Sequence, residues 1–119
     1  MTKRRAMVIG LDGATRELPD GFMERGIMPR LKALVDEGCR GPLWSAVPPM
    51  TATAWTSFVT GKGPGKHGIY DWTEPMPKSY VYEPVDSRKV KSETILEIAT
   101  NAGLRVATVN LPLTYPCRP

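Results

Sequence analysis

Three short apolar runs, separated by segments with helical spacing, constrain this chain more than any other feature. Ala6-Met7-Val8-Ile9-Gly10-Leu11 is nearly continuous and bounded by charge, and Arg105 to Asn110 carries Val106, Ala107 and Val109. Both read as strands buried on the two faces of a parallel sheet. Leu43 to Val47 is a further strand candidate, kept short or at a sheet edge by Pro42 and Pro48-Pro49. Between these runs, Pro29 opens a helix over Arg30 to Glu37, with Leu31, Leu34 and Val35 at helical spacing and Gly38 as the stop. A second helix starts near Thr51, buries a stripe of Ala52, Trp55, Phe58 and Val59, and ends at Gly61. A third is capped by Ser92, carries Ile95, Ile98, Ala99 and Ala102 on one face, and stops at Gly103. Alternating strands and helices predict an α/β class with a mostly parallel sheet.

The remaining segments are turn-rich. The chain holds 11 glycines and 12 prolines in 119 residues, against an expected combined share of roughly 12%. The stretch after Asp12-Gly13 is polar and contains glycine, and Gly61-Lys62-Gly63-Pro64-Gly65-Lys66-His67-Gly68 reads as a loop. Residues 69 to 90 read as an excursion with one or two short strands. No internal repeat or low-complexity segment is present.

Composition excludes several classes. Hydrophobic residues at 41% with 24% charged are too many core formers for a disordered chain and too few for a membrane protein. No apolar run approaches a membrane span of about 20 residues, and Ala6 to Leu11 is too short for a signal-peptide core. Cys39 and Cys117 cannot make a disulfide framework, and a reducing, cytoplasmic setting is expected. Sixteen basic against 12 acidic side chains give +4, which raises nucleic acid as a partner. The charges are scattered instead among Lys3-Arg4-Arg5, Lys62, Lys66, Arg88, Lys89 and Lys91, without interleaved aromatics, so neither nucleic acid nor membrane is expected as a partner.

In open α/β sheets, ligands bind beyond the carboxyl ends of the strands, where Asp12 follows the first run. A carboxylate there is either a turn residue or a rigidly held metal ligand. Thr51 at a helix start is either a cap or a group placed at a favourable anion site, where unpaired N–H groups and the helix dipole face a phosphate. Threonine is a weak nucleophile and needs a metal or a base to act. Thr53 carries no expected role, and its replacement by alanine should be mild. The glycine loop falls one residue short of a nucleotide-binding P-loop, has His67 in place of the hydroxyl residue, and follows a helix rather than a strand. His67, the single histidine, reads as a structural residue, and Trp44, Trp55 and Trp72 as core or loop anchors.

Taken in order, Val8-Ile9-Gly10-Leu11-Asp12-Gly13-Ala14-Thr15, Met28-Pro29-Arg30-Leu31, Pro48-Pro49-Met50-Thr51 running on to Thr60-Gly61, Pro64-Gly65-Lys66-His67-Gly68-Ile69 and Val109-Asn110-Leu111-Pro112 resemble the N-terminal part of the type I phosphodiesterase/nucleotide pyrophosphatase family, within the alkaline phosphatase superfamily. The resemblance implies a doubly wound α/β hydrolase of phosphoric esters with two divalent metal ions, zinc or else manganese. Asp12 matches the family's first metal-ligand aspartate. Thr51, nine residues before Thr60, matches the nucleophile, which also contacts metal. The resemblance implies that residues 1–119 are the N-terminal portion of one catalytic domain, lacking the later aspartate and histidine ligands and inactive alone. A small phosphate ester is the implied substrate. The alternative is a non-catalytic, phosphate-binding α/β fragment, in which Asp12 is a turn residue and Thr51 a cap.

Overall fold

Helices organise the chain, because a helix satisfies its backbone hydrogen bonds within one segment whereas a strand needs a neighbour. The computed structural model describes residues 5–117, so Lys3 and Arg4 of the basic N-terminus lie outside the described residues. The chain divides after Leu43 into two units.

The first unit contains α1 (Glu17–Glu24) and α2 (Pro29–Glu37). Helix α2 follows its sequence signals closely, with Pro29 in the first turn and Gly38 as C-cap. Helix α1 lies in the stretch that reads as polar loop. Pro19 is tolerated because it occupies the third helical position, where the N–H has no intrahelical acceptor. Asp20 joins Arg40 at 2.7 Å and Arg16 at 3.4 Å.

The second unit contains α3 (Thr51–Thr60), α4 (Pro64–His67), β1 (Thr73–Pro75), β2 (Tyr82–Pro84), a 3₁₀ turn (Ser87–Lys89) and α5 (Ile95–Asn101). Strands β1 and β2 pair antiparallel, with Glu74 opposite Glu83. Like charges placed directly opposite repel. Lys89 offsets this by reaching Glu74 at 2.5 Å and Glu83 at 2.7 Å, and the two carboxylates raise its pKa. The excursion at 69 to 90 therefore does hold two short strands. Ala52, Ile69, Val85 and Val90 form the core, with Leu113 packed against it.

Several expectations are corrected. Among the described residues the only sheet is this antiparallel pair, and residues 6–11, 43–47 and 105–110 form no strand. Their apolar side chains are open to solvent, Val8 at 71%, Trp44 at 90% and Val109 at 92% exposure. The physical reason is the missing neighbour: a two-sided buried strand needs ladder partners and a covering layer on each face. Trp44 is accordingly no core anchor. The cap of α5 is Thr94 rather than Ser92. Thr94 and Glu97 exchange bonds in a capping box, while the Ser92 hydroxyl donates to the Lys66 carbonyl at 3.2 Å.

Candidate functional site

Thr51 is the first residue of α3, and the residue in the cap position is Met50, in extended conformation at φ −104° and ψ 144°. Met50 makes no side-chain bond to the helix, and Thr51 stands inside the first turn rather than at the cap position. The Met50 carbonyl accepts the first helical bond, from Ala54 N–H at 2.8 Å. The amides of the turn before it have no acceptor inside the helix by helix geometry, and they carry the positive end of the dipole. The half-buried Thr51 begins that turn.

The buried face of α3 is not the apolar stripe expected. Ala52 and Val59 are buried as foreseen, but Trp55 is half-buried, and Phe58, half exposed, stacks on it edge to face with ring centres 5.9 Å apart. Thr53, Thr56 and Thr60 occupy the buried positions instead. A buried hydroxyl is costly unless bonded, and each has a partner: Thr56 donates to the Ala52 carbonyl, Thr60 to the Thr56 carbonyl and Thr53 to the Tyr70 carbonyl, all at 2.7 Å. The β-branched threonines at spacings of three and four were the available signal.

The segment after α3 is held by His67. It is fully buried at the end of α4, with Nε2 2.9 Å from Ser57 Oγ and Nδ1 accepting from Ile69 N–H at 3.1 Å. A nitrogen that accepts an N–H carries no proton, so Nε2 holds the hydrogen and donates to Ser57. Burial also pushes the His67 pKa down from 6.5. Neutral and satisfied at both nitrogens, His67 is a structural residue, as expected. Nothing in the sequence pattern ties it to Ser57, ten residues earlier.

Asp12 is exposed in the first unit, in a turn with Gly13 at φ +68°. Thr51 belongs to the second unit. A family model for type I phosphodiesterase/nucleotide pyrophosphatase matches residues 6–119. The chain belongs to this family. It is therefore of a phosphodiesterase/pyrophosphatase hydrolase family that acts on phosphate esters and is generally metal-dependent. No curated protein and no solved structure matches the chain. Among the described residues, no three of His, Cys, Asp and Glu stand together as a metal-binding group. These residues alone thus do not fit a complete two-metal centre, which requires several donors per ion. No described helix is long and apolar enough to cross a membrane.

Proposed function

We propose that this chain supplies the nucleophile of a phosphoric-ester hydrolase, and that the nucleophile is Thr51. The observation that supports it is the start of α3, where an anion-favouring turn has Met50 as its cap residue and Thr51 as its first member. A phosphate bound there would accept from the turn's amides, which stabilise charge gathering on its oxygens during displacement. Thr51 Oγ1, losing its proton, would bond to phosphorus as the opposite P–O ester bond breaks and the alcohol departs; the phosphoryl group left on Thr51, still esterified when the substrate is a diester, is then cleaved by water. His67 is excluded as the base that takes the threonine proton, because its accepting nitrogen is occupied by Ile69 N–H.

In the same reading Asp12 is a ligand to one of two divalent ions, zinc or manganese, whose further donors come from polypeptide other than the described residues. The three apolar runs, which form no strand by themselves, would pair as strands of a doubly wound, mostly parallel sheet only with covering polypeptide on both faces. Their high exposure supports this, since such runs gain stability only when covered. The free, exposed Cys39 and Cys117 support a cytoplasmic setting.

Hydrolysis of bis-p-nitrophenyl phosphate by the intact gene product, with zinc or manganese added, tests the assignment. Thr51→Ala should lower kcat on the order of a thousandfold or more. Asp12→Asn should also lose activity, and a chelator should abolish it in the unmodified protein. Wild-type rates in Thr51→Ala would overturn the nucleophile, and phosphate binding without turnover in the unmodified protein would favour a non-catalytic, phosphate-binding role.

A further inference from the structure

We infer that Thr53 is a positioning residue for the reaction at Thr51, an inference that rests on the function proposed above. Its side chain is fully buried, and its hydroxyl donates to the Tyr70 carbonyl at 2.7 Å. That bond joins the first turn of α3 to the segment that follows α4. The end of α4, immediately before that segment, is fixed at two other points. His67 bonds Ser57 further along α3 at 2.9 Å, and the Lys91 N–H donates to the His67 carbonyl at 2.9 Å. Between these ties, Ile69 packs with Ala52 in the core.

Thr53 differs in this respect from the other buried threonines of α3. The hydroxyl of Thr56 donates to a carbonyl of its own helix, four residues back; that of Thr60 does the same and also accepts from Lys62 N–H at 3.3 Å, in the turn that leaves the helix. Of the three, Thr53 is the one whose hydroxyl reaches past the turn that leaves α3, to Tyr70, and it does so two residues from Thr51. In-line displacement is sensitive to this, since a nucleophile misplaced by about 1 Å can cost on the order of a hundredfold in rate. The role belongs to Thr53 through the backbone of one helical turn and requires no contact between Thr53 and substrate.

Steady-state kinetics of the intact protein on bis-p-nitrophenyl phosphate, together with melting temperatures, test it. Thr53→Val keeps the shape and removes the hydroxyl; kcat should fall about tenfold, the worth of one hydrogen bond, with KM unchanged. Thr53→Ser keeps the hydroxyl and should retain most of the rate. If valine is not accommodated, Thr53→Ala removes the same bond in a good helix former and must show the same split. A valine variant with wild-type kcat, an equal loss in the serine variant, or a loss that disappears when rates are taken per mole of folded protein would overturn the role. Thr51→Ala separates the two claims. Wild-type activity in that variant sinks the proposed function itself; inactivity there, with full activity in Thr53→Val, sinks only the positioning role.

Discussion

The two units of the chain are built from similar helices but bury very different amounts. Among the described residues up to 43, Met23 is the one buried side chain, at 8% exposure. From residue 44 onward, Ala52, Thr53, His67 and Ile69 are all at 0%. Amphipathic patterning does not explain the contrast, because α2 carries a regular Leu31-Leu34-Val35 pattern and still leaves Leu34 68% exposed. The second unit differs in having a helix, a turn and a hairpin whose polar atoms answer one another, so that threonines and a histidine are buried at little cost. Polar satisfaction, more than hydrophobic content, separates the two regions.

If so, truncation should hurt the second unit more. Ile69→Ala leaves a void beside Ala52, Val85 and Val90 and should cost about 2–5 kcal/mol, read from denaturant midpoints. Met23→Ala, with few buried neighbours, should cost clearly less, because its site can collapse or admit water. Equal losses would break the comparison. Gly68→Ala comes next. Gly68 ends α4 at φ +82°, and an added Cβ would lie 3.1 Å from Lys91 Cδ. The conformation alone should cost about 1–2 kcal/mol, and the flexible lysine can move aside.

A third prediction concerns pH. His67 is held neutral in the folded state, with its pKa below 6.5, so the unfolded chain binds the proton more readily. Stability therefore falls as pH drops below 6.5, until the lower folded value is reached, and is unaffected by this group above it. His67→Asn keeps an acceptor for Ile69 N–H and removes the titration, so its melting temperature should lose that slope. A slope of the same size in the asparagine variant would assign it to other groups.

Legibility in the sequence follows the range of the interactions. Helices α2 and α3 were readable to the residue at most ends, because Pro29, Gly38 and Gly61 act locally. Helix α1 was not, since Pro19 and Gly21 argue against a helix that α2 and the Arg40–Asp20 pair support. Ser92 and Thr94 are both good cap residues, and the choice between them was made 26 residues away, by the Lys66 carbonyl that takes the Ser92 hydroxyl. The site shows the same division. Thr51 at a helix start was legible, and the tie from Thr53 to Tyr70, 17 residues on, was not.

The smallest expected effect bears on the apolar runs. Val8→Thr and Val109→Thr change residues that are 71% and 92% exposed, one in each unit. Substitutions at open positions usually fall within about 0.5 kcal/mol, and both variants of the 119-residue chain should melt with the parent. The same hydroxyl placed in a strand covered on both faces would be buried without a partner and would cost about 1–3 kcal/mol. Threonine is nearly isosteric with valine and equally suited to a strand, so the comparison isolates burial from shape and propensity. A loss of that size in either variant would mean that the run is covered after all, and would carry the doubly wound sheet from proposal toward the folded chain. No loss would leave both runs outside the buried part of the chain, most of which lies around α3 and the segment that holds it.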